Sequence, residues 1–246
     1  MFAGLNIQKP AARHPAGVLM RFALFGIFAF AITTANAAAA DMPTADERAV
    51  IEAVEKLGGK ADIDAKLFFE ARVSVKFETA TDGVLVALKK YPQIGAVDAF
   101  DATKCTEKGF AALKDLPNLR KLVLGKAELN PNGATAIGGC KELRHLGLVN
   151  AGLTDAELAT MNKLTLLDHL TLSENPKITD KGMATVKGFE RLQVLYLSKT
   201  GITDKGLLEL KPLDGLRTLG VVGTGVTTAA AEAFPDGMPN LRVVRK

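Results

Sequence analysis

Two histidines spaced 24 residues apart are the side chains in this sequence best suited to chemistry. His145 and His169 are the only histidines after His14. An imidazole changes charge near neutral pH and is a common zinc ligand, so two adjacent ones could share a metal ion or couple their protonation. No third ligand is evident, because alternation along a strand would turn Asp168 away from His169. We therefore favour two solvated surface residues and expect no bound metal.

The sequence contains none of the common catalytic motifs. G-x-S-x-G, H-E-x-x-H, the P-loop and C-x-x-C are all absent. A glycine-rich stretch at 133–139 lacks the Lys and Ser/Thr that engage phosphate, so close packing explains it better. We therefore predict a chain that is not an enzyme and uses no cofactor.

An internal repeat of 24 or 25 residues sets the elements that must position these side chains. The clearest unit starts at Leu192 and reads LQVLYLSKTGITDKGLLELKPLDG. Its first half alternates with period two, as in a short strand, and its second half spaces leucines by three, as on one face of a short helix. Either Thr203 or Asp204 can cap that helix. Further units start at Ile94, Leu119, Leu143, Leu167 and Leu216, with a degenerate unit from about Glu70 and a truncated one from Leu241.

This pattern resembles the I-T-D-x-G-L, cysteine-containing-like subclass of leucine-rich repeats, which occurs in many exported bacterial proteins. The resemblance covers residues 44–246 and implies an α/β solenoid, with a parallel sheet on its concave side and short helices on its convex side. The segment Asp46 to Lys60 resembles the helical N-terminal cap of those proteins. A capping box at Thr44 predicts where this helix starts, and Gly58-Gly59 predicts where it ends. No continuous Asn ladder is expected, because the position after the strand holds Ala127, Ala151, Asn175, Thr200 and Thr224.

Two cysteines, Cys105 and Cys140, are too few for a disulfide framework. Both occupy inward-facing apolar positions of the repeat. We interpret them as small core residues, with a disulfide between them as the less favoured alternative.

The first 37 residues have the pattern of a secretory signal. Arg13 and Arg21 precede an uncharged apolar run from Phe22 to Ile32, and Ala35-Asn36-Ala37 is an A-x-A cleavage site. An uncleaved anchor is the alternative, although the run is shorter than the roughly 20 residues that a spanning helix needs. We expect a periplasmic or secreted protein without membrane contact after cleavage. The predicted organisation is a signal peptide at 1–37, a linker and helical cap at 38–69, and a solenoid of about seven units plus a truncated last strand at 70–246.

The formal net charge of +4 does not indicate nucleic-acid binding. Lys9, Arg13 and Arg21 all lie in the first 37 residues, which contain no Asp or Glu. The remainder is close to neutral and has no overall field that would hold a polyanion.

The solvent-facing strand positions are the candidate binding surface. Tyr196 stands among small neighbours, where it either anchors a partner or packs against the next strand. A weak basic stripe recurs at the second position of the units, through Arg120, Arg144, Arg217 and Arg242. The positions expected to face solvent are Ala96, Asp98, Lys121, Val123, His145, Gly147, His169, Thr171, Val194, Tyr196, Thr218 and Gly220. Within this surface we expect Lys121, His145, His169, Tyr196 and Arg217 to contact a partner.

Three classes of function are compatible with this surface. The favoured one is a non-catalytic binding module for a protein, or alternatively for an envelope polymer. The second is a rigid structural spacer in the cell envelope. A metal-dependent hydrolase is the least favoured.

Overall fold

The computed structural model describes residues 42–67 and 71–245. The strands of this part of the chain form one nine-stranded sheet, in which they follow one another in sequence order. The first pair of strands is antiparallel and every later pair is parallel. The predicted signal peptide and the start of the degenerate unit near Glu70 lie outside the described residues. The strands are β1 Lys60–Ile63, β2 Val73–Thr81, β3 Ile94–Lys104, β4 Lys121–Gly125, β5 His145–Val149, β6 His169–Thr171, β7 Val194–Tyr196, β8 Thr218–Gly220 and β9 Arg242–Val244.

A short helix follows each of the strands β2 to β8, so strand and helix alternate as the repeat predicts. In the described segments, no helix has the length and apolar character that crossing a membrane requires. A 3₁₀ turn at Asp180–Gly182 precedes α6. The helices are α1 Ala45–Lys56, α2 Asp82–Leu88, α3 Glu107–Leu113, α4 Pro131–Gly138, α5 Asp155–Ala159, α6 Met183–Val186, α7 Asp204–Glu209 and α8 Thr228–Ala233.

The core lies between the sheet and the helices and repeats from unit to unit. Leu146, Leu170, Leu195 and Leu219 are paired along the sheet, and each is at most 1% exposed. Successive strand residues point to opposite faces, so the residues on either side of these leucines lie on the face of the sheet that points away from the core. We call this solvent-facing side of the sheet the concave face.

A ladder of aspartates joins successive units at four of their boundaries, where a helix begins. The Asp180 carboxylate accepts hydrogen bonds from the backbone N–H and the hydroxyl of Thr203 in the next unit, both at 2.7 Å. Asp82, Asp155 and Asp204 make the same pair of bonds to Thr106, Thr179 and Thr227. The threonines cap their own helices as predicted, whereas the aspartates bind the following unit, which corrects the prediction that Asp204 could cap α7.

The glycine of the I-T-D-x-G motif makes room for this ladder. A Cβ atom on Gly206 would lie 2.3 Å from Asp180 Oδ1, and one on Gly109 would lie 2.4 Å from Asp82 Oδ1. Burial alone would raise the pKa of Asp180, but hydrogen bonds from Thr203 and Gly206 outweigh it, so its pKa lies below the usual value. The three motif residues thus act together across the boundary between two units.

Asn175 provides a single rung of the Asn ladder that these repeats usually carry. Its side chain is fully buried and accepts from the backbone N–H groups of Ala151 and Leu153. Its amide group donates to the carbonyls of Leu148 and Leu172. At the equivalent position Thr200 bonds only Leu197, within its own unit, so the expected absence of a continuous ladder is confirmed.

The N-terminal cap contains the predicted helix and a strand that was not predicted. Thr44 and Glu47 form the capping box at the start of α1. Glu47 is also held by Arg72 at 2.9 Å, and both side chains are nearly inaccessible. After Gly58, which has a positive φ, the chain turns into β1 and pairs antiparallel with β2. The cap therefore adds an antiparallel strand to a sheet that was predicted to be entirely parallel.

The last strand differs by one residue from the predicted register. Arg242 pairs with Thr218, and Val243 takes the inward position opposite Leu219. The last unit therefore begins one residue before Leu241. Arg242 accordingly stands at the third position, not at the second position of the predicted arginine stripe.

Candidate functional site

Two rows of aligned residues cross the concave face from strand to strand. The first row runs through Lys121, His145, His169, Val194, Thr218 and Arg242. The second runs through Val123, Gly147, Thr171, Tyr196, Gly220 and Val244. Ala96, Gly147 and Gly220 are buried, which corrects their prediction as exposed positions. Gly147 lies against the side chain of Val123, and Gly220 against that of Tyr196, each on the preceding strand.

His145 and His169 stack face to face on adjacent strands. Their ring centroids are 5.3 Å apart and the ring planes differ by 4°, which confirms that the two histidines are adjacent. Both residues are half-buried, and 43% of the His169 side chain is accessible, so the interpretation as two solvated surface residues stays a prediction. Asp168 also contacts the pair, because its Oδ1 lies 2.6 Å from His169 Nδ1. Asp168 precedes β6, so the alternation that predicted it would turn away does not apply to it.

The surroundings of His145 favour the uncharged imidazole. Partial burial lowers its pKa to about 4, and the neighbouring charges of Lys121 and His169 act in the same direction, against a weaker opposing effect of Asp168. At neutral pH the stack therefore presents a neutral ring of His145 beside a ring of His169 that is bonded to a carboxylate.

The histidine pair does not have the arrangement of a metal centre. Within residues 42–67 and 71–245, no three His, Cys, Asp or Glu side chains are grouped so that they could hold a metal ion. Two imidazoles that share a zinc ion direct their nitrogens at one point about 2.1 Å away, whereas parallel stacked rings direct them side by side. The geometry therefore suits stacking or hydrogen bonding to a ligand.

Tyr196 lies across the backbone of the next strand and keeps part of its ring in solvent. It is 38% exposed, and a Cβ atom on Gly220 would lie 2.5 Å from its Cδ1. The two interpretations made from the sequence are therefore compatible. The ring packs against a neighbouring strand, and its outer face remains available.

The two basic residues of the predicted site occupy different places. Lys121 stands in the first row, directly beside His145. Arg217 is exposed but precedes β8, so it lies at the edge of the sheet, outside the two rows. Farther along the same edge, Arg120 forms an ion pair with Glu142 at 3.4 Å. The structure therefore brings Lys121, His145 and His169 together, with Tyr196 one strand farther on and Arg217 at the margin.

Phe100 is a surface feature that the sequence analysis did not single out. It is 66% exposed and lies in the middle of β3, which continues well beyond the three alternating residues of the repeat pattern. Lys126 Nζ lies 5.2 Å from the centre of its ring. The continued alternation Ala96, Asp98, Phe100 was the signal in the sequence that could have revealed it.

A cavity of about 250 Å³ adjoins Phe100 in the middle of β3, beside the ends of β4 and β5. It opens to solvent and extends towards the loop that follows β6. Its lining comprises Asp98, Ala99, Phe100, Val123, Gly125, Lys126, Val149, Asn150 and Glu174.

Both cysteines are buried free thiols, as their interpretation as core residues predicted. Cys105 is 8% exposed and Cys140 is 7% exposed. Burial raises the pKa of each thiol to about 12. Such thiols stay protonated at neutral pH and are poor nucleophiles and metal ligands.

Comparison with known proteins supports the same architecture. A model of the Leucine Rich repeat family matches residues 192–211. In structure, the chain resembles internalin C2 from Listeria monocytogenes, with a TM-score of 0.50 and 19% identity over 67% of this chain and 74% of that one. No curated protein matches the chain in sequence. The predicted leucine-rich-repeat solenoid fold is thereby confirmed.

Proposed function

We propose that the protein is a non-catalytic binding module whose concave face receives a protein partner. A leucine-rich-repeat fold fits such a role, since stacked units present one continuous sheet surface. The observation that carries the proposal is the partly exposed ring of Tyr196, which lies on the strand next to His169 and packs against Gly220 of the following strand. Rigid aromatic rings with one accessible face are frequent anchors in protein interfaces.

The proposed contact surface consists of Lys121, His145, His169 and Tyr196, with Arg217 at its edge. Aromatic and imidazole groups supply its centre, and the two cations lie towards its margins. Central contacts of this kind usually determine how slowly a complex dissociates, while charges at the rim determine how fast it forms. An envelope polymer is the alternative ligand. Export, which the pattern of the first 37 residues favours, would bring the surface to either of them.

A crosslinking experiment on an envelope extract tests this proposal. A photoreactive phenylalanine analogue replaces Tyr196 in one variant and Lys205, on α7, in a matched control. We expect one discrete protein adduct from position 196 and none from position 205, because only the former faces the concave side. Equal labelling from both positions, or adducts from position 205 alone, would place the interface elsewhere.

Alanine variants measured against the captured partner then rank the contacts. Tyr196→Ala should weaken binding by about 2 kcal/mol, because it removes a desolvated anchor. Lys121→Ala should mainly slow association and reduce its salt dependence. Lys205→Ala should leave both unchanged. If Tyr196→Ala bound as tightly as the native chain, the concave-face proposal would be wrong.

A further inference from the structure

We infer that the cavity beside Phe100 binds one large apolar side chain of the partner, at a position next to a lysine or arginine. This inference rests on the proposed function, since it names the chemistry of the segment that the concave face would receive. It adds residues in the middle of β3 and at the ends of β4 and β5 that the predicted site does not include.

The size of the cavity favours a single side chain over a free ligand. Its volume of about 250 Å³ equals the share of roughly eight water molecules in the liquid. Pockets for drug-sized molecules and cofactors usually enclose about 300–1,000 Å³ and bury most of the ligand. A cavity below that range, open on one side, accommodates a side chain that enters from a chain lying outside it.

The floor and one wall of the cavity are apolar. Val123 and Val149 belong to the neighbouring strands β4 and β5, and Gly125 on β4 pairs with Val149. A Cβ atom on Gly125 would lie 2.2 Å from the carbonyl oxygen of Phe100, so only glycine allows β4 to approach the Phe100 backbone this closely. The exposed ring of Phe100 forms the wall. Covering this ring and the two valines removes apolar surface from water, which favours an apolar occupant.

The charges around the rim favour a cation next to that side chain. Lys126 has Asp101 at 3.9 Å, and Glu174 has Lys199 at 2.7 Å, so each of these charges already has a partner. Asp98 differs, because in the described part of the chain its carboxylate has neither a hydrogen bond nor an ion pair within 4 Å. Lys76 lies opposite it on β2 without reaching that distance. A lysine or arginine of the partner would therefore complement the Asp98 carboxylate.

Nuclear magnetic resonance of the full chain with short probes tests this inference. The probes are N-acetyl-Leu-Arg-amide, N-acetyl-Leu-Glu-amide and N-acetyl-Ala-Arg-amide. We expect the first to shift the signals of Val123, Gly125 and Val149. The second should bind about threefold more weakly, as a rim ion pair allows. The third should cause no shifts at these positions, because alanine cannot fill the cavity.

Three variants assign the effect to the cavity. Phe100→Ala should abolish the shifts, and its exposed position makes misfolding an unsuitable explanation. Asp98→Asn should keep leucine binding but remove the preference for arginine over glutamate. Leu208→Ala, which removes an equally exposed apolar residue from α7, is the control and should change nothing.

The outcomes separate this inference from the proposed function. If the leucine probes shift no cavity residue, or Phe100→Ala leaves the shifts intact, the cavity assignment is wrong even when Tyr196 crosslinks to a partner. If the shifts appear as expected while position 196 gives no adduct, the cavity stands and the concave-face proposal fails. Equal affinity for both leucine probes would overturn the assignment of a neighbouring cation.

Discussion

Single residues on the concave face show what a repeat pattern can and cannot reveal. The pattern predicted correctly that His145 and His169 adjoin and that Tyr196 keeps an exposed face, because strand register alone fixes these placements. It did not predict the contact of Asp168 with His169, since that carboxylate comes from outside the strand. It also missed Phe100, because β3 is longer than the strand of a standard unit.

The lowered pKa of His145 leads to a prediction about stability at mildly acidic pH. Its value is about 4 in the folded chain and about 6.5 in an unfolded one. Between these values the unfolded chain binds more protons at this residue, so the free energy of unfolding should fall as the pH falls from 6.5 to 4. Lys121, His169 and Asp168 are the titratable groups that act on this ring.

Urea denaturation at several pH values measures this effect. His145→Gln should show a smaller loss of stability between pH 6.5 and 4 than the native chain, because it removes the group whose protonation differs. Lys163→Gln, at an exposed position, is the control and should keep the pH profile of the native chain. An unchanged pH profile in His145→Gln would mean that the ring is not held in its neutral form.

At the scale of elements, the sequence predicted the strand–helix alternation but not every register. The spacing of apolar residues in the repeat cannot place β9, because Leu241, Val243 and Val244 offer two alternative inward positions. The short segment Lys60–Ile63 gave no periodic signal for β1. The aspartate of the I-T-D-x-G motif was recognised as a capping residue, but its true partner lies in the next unit, and only three-dimensional stacking reveals that.

The aspartate ladder leads to a prediction about coupling between units. Asp180→Ala should lower the free energy of unfolding by about 1–3 kcal/mol, because it removes the acceptor for Thr203 and Gly206. Gly206→Ala should also destabilise the chain, since its Cβ would collide with Asp180 Oδ1. In the double variant the collision is gone, so its cost should be smaller than the sum of the single costs.

Urea denaturation of the three variants measures this coupling. Gly215→Ala is the control, because a Cβ there would meet its nearest neighbour only at 3.6 Å. It should change stability by less than about 0.5 kcal/mol. Strictly additive costs for Asp180→Ala and Gly206→Ala would contradict the shared contact.

At the scale of the whole solenoid, the ladder is interrupted at two successive boundaries. The unit from Ile94 carries Glu107 in place of the aspartate. The unit from Leu119 carries Pro131 at this position, so it offers no carboxylate to Thr154. Glu157 of the same unit as Thr154 takes over that task, since its carboxylate accepts from both the backbone N–H and the hydroxyl of Thr154. Glu157 also stands where the neighbouring units have glycine. At the boundary between the units from Leu119 and Leu143, the threonine at the start of the helix is therefore bonded within its own unit and not to the preceding one.

Units of a solenoid are stable mainly through their neighbours, so this boundary should limit how cooperatively the chain unfolds. Moving the bond across it requires two changes. Pro131→Asp supplies a carboxylate, but Glu157 still occupies the Thr154 donors. Glu157→Gly alone leaves those donors without an acceptor. Neither single variant should therefore gain stability. Pro131→Asp combined with Glu157→Gly recreates the pattern of Asp180 and Gly206. The free energy of unfolding of this double variant should be higher than the sum of the two single-variant changes predicts. Hydrogen exchange should then show slower opening of α4 and α5 in the double variant than in either single variant. If α4 and α5 open no more slowly in the double variant, the ladder does not control coupling between units, and apolar packing alone sets the stability of this boundary.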